Sequence, residues 1–202
     1  MPAILLAGGR ATRLGGGDKC LRPLGGRPIL ARVIDILRPQ VGPMLLNANG
    51  DPARFAAFGL PVVADDLADQ PGPLAGILAG LDWVAAELPA ARFALSASTD
   101  CPFLPADLAQ RLAAALAGED ADIALAASAG RVHPVIGLWR VTLRTDLRQA
   151  LTSEGLRKVE LFCDRHRTHR VNFPVTPLDP FLNLNTEADF AAAESLLAQS
   201  RT

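Results

Sequence analysis

Residues 6–19 read LAGGRATRLGGGDK, and this stretch decides how the N-terminal half of the chain is interpreted. It continues the short apolar run of residues 3–7, which predicts a buried first strand. Glycines let backbone N–H groups approach a polyphosphate closely, while spaced cations supply charge to its β- and γ-phosphates. A glycine cluster alone would also fit an exposed turn, but the added Arg and Lys favour triphosphate binding. We expect the contacts to come from Leu6, Ala7, Gly8, Gly9, Arg13, Gly16 and Lys19.

The loop differs from the two commonest nucleotide motifs. It lacks the GxGxxG pattern of dinucleotide-binding proteins, and Cys20 stands where the Walker A motif GxxxxGK[ST] needs Ser or Thr. The loop therefore argues against a dehydrogenase that transfers hydride and against a P-loop ATPase. The layout suits a loop that grips a departing pyrophosphate.

Short apolar runs alternate with longer amphipathic stretches along the chain, which predicts an α/β fold of three layers, Rossmann-like, with a mostly parallel sheet. We expect strands at 3–7, 44–46, 62–63, 93–97 and 123–127, and helices at 29–37, 74–88, 105–116 and 186–197. Residues 140–170 are rich in Arg and poor in strand signals, which indicates an added lobe. We expect a single domain, residues 1–202, with the triphosphate site in its N-terminal half and the second substrate in its C-terminal half.

Composition narrows the class of protein. The 202 residues carry a net charge of −1, so no general field attracts nucleic acid or an anionic membrane. Residues 1–6 resemble neither a signal peptide nor a membrane span. Three widely spaced cysteines indicate free thiols in a reducing compartment. We therefore expect a cytoplasmic protein that binds small molecules.

The segment STDCPFLP, residues 98–105, follows the apolar run of residues 93–97. Asp100 is thereby expected at the carboxyl end of a strand, where open α/β sheets bind ligands. A carboxylate opposite a polyphosphate loop suits Mg²⁺, which prefers hard oxygen donors. The alternative, a helix cap, fits poorly because the next predicted helix begins several residues later. We predict that Asp100 is a metal ligand and a catalytic residue together with Lys19 and Arg13.

Asn47 and Asn49, in the NAN that ends the run of residues 44–46, are a further pair of polar residues after a strand. An amide donates and accepts at once, which suits a base edge or a ribose hydroxyl. An Asx-turn is an equally good interpretation for Asn49.

Together these motifs resemble the nucleotidyltransferases of the sugar-nucleotide pyrophosphorylase type. The form LAGGxxxRxGGxDK resembles that of the molybdenum cofactor guanylyltransferases, which join GMP to molybdopterin. The resemblance implies that Asn47 binds the guanine nucleotide, that Asp65 contacts it, and that the GPLAG segment containing Gly76 lines its base or ribose. It also implies that Asp100 holds Mg²⁺. Asp66 and Asp69 are expected to be solvated loop charges.

The resemblance extends to the side of the second substrate through three further motifs. These are RVHPVIGLW with His133, GLRKV with Arg157 and Lys158, and FLNLNT with Asn183 and Asn185. All five residues are implied to lie near the acceptor. Structural roles remain open alternatives: a hydrogen-bonding His133, a solvated charged face at residues 157–158, and a helix cap at Asn185.

The implied reaction joins GTP to molybdenum-molybdopterin, giving the guanine dinucleotide cofactor and pyrophosphate with Mg²⁺ as the metal. Transient contact with cofactor-insertion proteins or target enzymes is also implied, and neither nucleic acid nor membrane is an expected partner. Three alternatives stay open. They are a molybdopterin cytidylyltransferase, a sugar-1-phosphate nucleotidylyltransferase, and a non-catalytic module that binds GTP without turnover.

Overall fold

Nine strands form a seven-stranded sheet and a small hairpin in the computed structural model, which describes residues 1–8, 17–67, 72–117, 121–176 and 178–199. The strands are β1 (Ala3–Leu6), β2 (Pro23–Leu24), β3 (Arg27–Pro28), β4 (Met44–Asn47), β5 (Val62–Val63), β6 (Phe93–Ser98), β7 (Ile123–Ser128), β8 (Arg131–Arg140) and β9 (Thr168–Asn172). The helices are α1 (Ile29–Leu37), α2 (Pro73–Glu87), α3 (Leu108–Leu116), α4 (Arg144–Thr152), α5 (Val159–Cys163) and α6 (Glu187–Gln199). Short 3-10 turns cover Lys19–Leu21, Pro52–Phe58 and Val141–Leu143.

The sheet has the strand order β5-β4-β1-β6-β8-β7-β9. Every neighbouring pair is parallel except those of β8, which runs antiparallel to both β6 and β7. The hairpin of β2 and β3 lies outside this sheet. The predicted α/β fold with a mostly parallel sheet is confirmed.

Two hydrophobic cores cover the two faces of the sheet. Alternation along β1 sends Leu5 into one core and Ile4 into the other. The first core receives α1, α3 and α6, and the second receives α2, α4 and α5. Helix α1 illustrates the pattern, because its buried residues recur at helical spacing and Pro28 precedes it without a lost hydrogen bond. The arrangement is the predicted three layers.

The region after residue 140 differs from its prediction. Strand β9 joins the main sheet as a parallel neighbour of β7, and α4 and α5 pack in the second core, so residues 140–170 are part of the layered fold. The prediction of an added lobe was wrong. Its strand signal was weak because β9 is a half-exposed edge strand whose residues are mostly polar.

Helix boundaries follow local chemistry. Helix α3 begins at Leu108, three residues after the predicted start. At α6 the hydroxyl of Thr186 accepts from the backbone N–H of Asp189, and the Asp189 carboxylate accepts from the N–H groups of Asn185 and Thr186. This reciprocal pattern is a capping box, with Thr186 as the cap. Among the described residues, no helix combines the length and the apolarity that crossing a membrane requires.

The strand register aligns the carboxyl ends of three strands. Leu6, the last residue of β1, lies opposite Asn47 of β4 on one side and Ser98 of β6 on the other. The segments that follow these three strands therefore all begin at the same edge of the sheet. We call this part of the molecule, the ends of β1, β4 and β6 with the segments that follow them, the nucleotide edge.

Candidate active site

A cavity of about 910 Å³ opens at the nucleotide edge. This volume lies in the range of small-molecule sites, and its position is where open α/β sheets bind ligands. Its described wall consists of residues 6–8, residues 17–20, Asn47, Asn49, Gly50, Arg54, Asp65, Gly72, Pro73, residues 98–100 and Val135.

Lys19, a residue of the cavity wall, joins the two halves of the chain through Asn183 and Asn185, which lie outside the described wall. Its side chain is buried, and its ammonium Nζ donates to Asn185 Oδ1 at 2.6 Å and to Asn183 Oδ1 at 3.1 Å. The same Nζ forms an ion pair with Asp100 Oδ2. A buried ammonium needs such partners, because loss of hydration is costly. The structure thus brings together four predicted site residues from the glycine loop, the end of β6 and the C-terminal segment.

Asp100 is fixed by its neighbours on both its backbone and its side chain. Ser98 Oγ donates to Asp100 Oδ1 at 2.5 Å, and the N–H of Leu184 donates to the Asp100 carbonyl at 3.1 Å. Thr99 Oγ1 donates to the carbonyl of Leu6 at 3.0 Å, which ties this segment to the end of β1. Helix α3 begins eight residues later, so Asp100 is not its cap.

The end of β4 holds a second group of predicted residues. Asn47 Nδ2 donates to Asp65 Oδ1 at 2.9 Å, and Asn49 Nδ2 donates to Asp65 Oδ2 at 2.8 Å. Asn49 Oδ1 in turn accepts from the backbone N–H of Asp65 at 2.8 Å. Both asparagines therefore orient one carboxylate at the cavity wall. The Asx-turn interpretation of Asn49 misses this contact with a residue distant in sequence.

Gly76 lies behind Asn47, within α2. A Cβ at this position would lie 2.2 Å from Asn47 Oδ1 and 3.0 Å from Leu6 Cδ2. The missing side chain thus lets α2 approach the strand ends and leaves room for the amide. Gly76 is buried, and we find it packed against a wall residue of the cavity.

Arg54 is a wall residue that the sequence analysis missed. Its Nε donates to Asp18 Oδ2 at 2.6 Å, and its Nη2 donates to the carbonyl of Asn49 at 2.5 Å. The guanidinium also lies over the ring of Phe55, 4.5 Å from its centroid. Arg54 therefore connects the exit of the glycine loop to the segment after β4. A single Arg in the stretch PARFAAF carries no spacing signal that could have identified it.

His133 lies outside the described wall of the cavity. Its Nε2 is 2.7 Å from Ser128 Oγ, and its ring packs against that of Phe181 with centroids 4.6 Å apart. Ser128 Oγ also donates to Asp179 Oδ1 at 2.9 Å. Burial lowers the pKa of the His133 imidazole, although Asp179 acts in the opposite direction. The nearest cavity residue on this strand is Val135.

Arg157 and Lys158 are exposed immediately before α5, and neither contributes to the described wall of the cavity. Asp66 is an exposed loop residue, as predicted, and its carboxylate also forms a surface ion pair with Arg148 at 2.7 Å. Arg148 also reaches Asp82 of α2 at 2.6 Å, which anchors the loop that carries Asp65. Gly9, Arg13, Gly16 and Asp69 lie outside the described residues.

The three cysteines are free, as the sequence analysis predicted, and the structure shows that all three are buried. Burial raises the pKa of Cys20 to about 11 and that of Cys163 to about 12. Burial also raises the pKa of Cys101 well above its ordinary value, with a further contribution from Asp100. Thiolates are the reactive form of cysteine, so none of these thiols is set up as a nucleophile.

Comparison with known proteins identifies the family. The sequence matches the MobA-like NTP transferase domain over residues 3–168. A molybdenum cofactor guanylyltransferase from Bradyrhizobium sp. (strain ORS 278) is 60% identical over 98% of this chain and 93% of its own. One from Rhodopseudomonas palustris (strain BisB5) is 59% identical over 96% of this chain and 93% of its own.

The fold has solved counterparts as well. The crystal structure of molybdopterin-guanine dinucleotide biosynthesis protein A from Archaeoglobus fulgidus aligns with a TM-score of 0.75 at 22% identity, covering 98% of this chain and 100% of the other. Likeness at 22% identity shows a shared fold, whereas the matches to the two relatives extend over 98% and 96% of this chain at much higher identity. The chain therefore belongs to the molybdenum cofactor guanylyltransferases, within the MobA-like NTP transferase domain family.

Proposed function

We propose that this protein transfers GMP from GTP to the terminal phosphate of molybdenum-molybdopterin, forming the guanine dinucleotide cofactor and releasing pyrophosphate. The observation that carries the proposal is the contact of Lys19, a residue of the cavity wall, with Asp100 in the same wall and with Asn183 and Asn185 from the C-terminal segment. Two substrates must meet for a group transfer, and here groups from both ends of the chain converge. The names of the 60% and 59% identical relatives support the choice of guanine and of the pterin acceptor.

We assign nucleotide binding to the part of the cavity wall at the ends of β1 and β4. Asp65, held by Asn47 and Asn49, offers carboxylate oxygens that suit ribose hydroxyls or the N–H donors of guanine. Lys19 contributes the charge that a departing pyrophosphate requires. Gly9, Arg13 and Gly16 belong to the same proposal through the glycine-loop motif.

The donor set at Asp100 fits Mg²⁺. Oxygens of Asp100, Asn183 and Asn185 contact the ammonium of Lys19, so this cluster of oxygens already stabilises a cation. Hard carboxylate oxygens are the protein ligands that Mg²⁺ prefers, and Asp100 would hold the ion. When bound, Mg²⁺ would neutralise charge on the phosphate oxygens.

The chain itself acts mainly by positioning. A phosphate oxygen of the acceptor attacks the α-phosphorus of GTP in line, the new P–O bond forms, and the bond to pyrophosphate breaks. Rigid placement of the two reactants removes much of the entropic cost of this step. We assign the acceptor side to Asn183 and Asn185, with His133, Arg157 and Lys158 as further candidates from their motifs.

We also infer that the protein works in the cytoplasm. The free thiols of Cys20, Cys101 and Cys163 support a reducing compartment, the cytoplasm. Transient contact with cofactor-insertion proteins or target enzymes, which would receive the product, belongs to the same proposal.

An assay with GTP labelled at the α-phosphate tests the proposed reaction. The full chain is incubated with Mg²⁺ and molybdenum-molybdopterin, and both labelled dinucleotide and pyrophosphate are measured. We expect equal amounts of the two products, and neither product without the acceptor. Labelled GTP that binds but is never converted would instead favour a non-catalytic module, and labelled CTP tested in parallel would expose a cytidylyltransferase.

A further inference from the structure

A hydrogen-bonded network links His133 to the segment that carries Asn183 and Asn185. We call residues 179–185 the acceptor strap. Ser128, which is 1% exposed, lies between His133 Nε2 at 2.7 Å and Asp179 Oδ1 at 2.9 Å. Asp179 Oδ1 also accepts from the N–H of Phe181 at 3.0 Å, so it closes a tight turn at the start of the strap.

Donor and acceptor rules fix the direction of this network. A carboxylate only accepts, and a serine hydroxyl has one hydrogen to give. Because Ser128 donates to Asp179, its oxygen must accept from His133, and the Nε2 of His133 therefore carries a hydrogen. The imidazole acts as the donor at the far end of a chain that runs from His133 through Ser128 to Asp179.

This order of residues is not that of a nucleophilic triad. In a nucleophilic triad the histidine lies between the hydroxyl and the carboxylate, so that it can take the hydroxyl proton. Here Ser128 lies in the middle and is buried away from the cavity. The network therefore holds structure in place and does not attack a substrate.

After this turn, further contacts hold the strap against β8 and against the segment that carries Asp100. The Phe181 ring is buried between His133 and Phe173, with centroid distances of 4.6 and 5.3 Å. Three residues later the N–H of Leu184 donates to the Asp100 carbonyl. Asn183 and Asn185, which flank Leu184, then meet Lys19.

We propose that His133 is a positioning residue for the acceptor side: through Ser128 and Asp179 it fixes the strap so that Asn183 and Asn185 reach Lys19. This inference rests on the proposed function, since it assigns the two amides to acceptor binding. It differs from a direct contact between His133 and the acceptor. The geometry gives the imidazole a donor function that one other side chain can reproduce, because the amide of Gln places an N–H₂ near the position of Nε2.

Four variants of the full chain test this: His133→Ala, His133→Gln, Ser128→Ala and, as a control, His169→Ala on β9. Amide hydrogen exchange of Phe181 and Leu184 is measured without ligand, and the KM for molybdenum-molybdopterin is measured with GTP saturating. Loss of one buried hydrogen bond predicts about three- to tenfold faster exchange and a similar rise in KM for His133→Ala and Ser128→Ala. We expect His133→Gln to restore both quantities, and His169→Ala to leave both at the wild-type value.

Three outcomes would overturn the inference: unchanged exchange in His133→Ala, a His133→Gln variant as impaired as His133→Ala, or faster exchange with an unchanged acceptor KM. If His133→Ala does not fold, Ser128→Ala breaks the same bridge with a smaller loss of volume and gives the same readings. If the wild type transfers no GMP, the proposed function fails, whereas hydrogen exchange still decides whether His133 orders the strap. The two failures are therefore distinguishable.

Discussion

The acceptor strap meets the nucleotide edge at Lys19, but the two regions are positioned by different means. At the nucleotide edge, Asn47 and Ser98 each end a strand that is in parallel register with β1, so backbone pairing alone sets their height. The strap contains no strand, and contacts such as those of Asp179 and Leu184 set its position. One region is positioned by sheet topology and the other by individual hydrogen bonds. The two should therefore respond differently to mutation.

The largest effect is expected where the two regions meet, at Asp100. Asp100→Asn keeps the size of the side chain but removes the charge proposed to hold Mg²⁺. We expect turnover to fall by about a hundredfold or more, with GTP affinity changed by less than about threefold. Pyrophosphate release and calorimetric titration on the same preparation measure the two quantities.

The matched control is Asp107→Asn, an exposed carboxylate just before α3. It should leave turnover unchanged. Near-normal turnover of Asp100→Asn together with a lowered melting temperature would mean that Asp100 only stabilises the loop. The contact between the nucleotide edge and the acceptor strap would then have no role in catalysis.

Substitution of two glycines of α2 is expected to affect GTP binding in one case and only folding stability in the other. An added Cβ at Gly76 would meet Asn47 Oδ1 at 2.2 Å, whereas one at Gly80 would meet Ile4 Cγ2 at 2.5 Å. Gly76→Ala must displace the Asn47 amide, so we expect about tenfold weaker GTP binding. Gly80→Ala strains only the core, which should cost about 1–3 kcal/mol of stability and leave GTP affinity intact. Titration and urea unfolding of both variants check this, and equal affinity losses would contradict it.

Arg54 tests whether side-chain contacts also matter at the nucleotide edge. Its ion pair with Asp18 is partly buried, with side chains 27% and 22% exposed, and it ties the exit of the glycine loop to the segment after β4. Arg54→Ala should weaken GTP binding by about three- to tenfold. Arg27→Ala is the matched control, because the Arg27–Asp35 pair is about half exposed and such pairs contribute little. If both variants bind GTP like the wild type, topology alone positions this region.

The smallest effect concerns the end of the strap, where α6 begins. Hydrogen bonds from the backbone of Asn185 and from Thr186 lower the pKa of the Asp189 carboxyl. The stabilisation is therefore complete above the ordinary Asp pKa and is lost as the pH falls through the lowered folded value. Asp189→Asn should cost about 0.5–1 kcal/mol at neutral pH and nothing in strong acid. Urea unfolding at a series of pH values measures this, and a pH-independent difference would contradict the assigned cause.

The sequence predicted the nucleotide edge well for a physical reason. Asn47 and Asp100 lie at or just after the ends of apolar runs that form parallel strands on either side of β1, so knowing the strands was enough to place the residues on one edge. Helix α1 and strand β5 were likewise predicted with their observed ends, because Pro28 and the short run at 62–63 mark them clearly.

Other features depend on contacts that sequence patterns do not encode. Arg54 reaches Asp18 across 36 positions, and Ser128 reaches Asp179 across 51. Edge strand β9 is mostly polar, so its sequence lacks the apolar pattern by which a strand of the sheet is predicted. The resemblance of the FLNLNT motif implied that Asn183 and Asn185 lie near the acceptor, but it did not predict their contact with Lys19, which is 164 and 166 positions away.

The central claim, that the cavity at the nucleotide edge is a GTP site, is tested most directly by calorimetric titration of the wild-type chain with GTP, CTP and ATP in Mg²⁺. We predict one site that binds GTP at least about tenfold more tightly than either of the others, equivalent to about 1.4 kcal/mol. Gly76→Ala should reduce that preference, because Asn47 and Asp65 lie where the nucleoside is proposed to bind. Equal affinities for the three nucleotides, or a clear preference for CTP, would contradict the account.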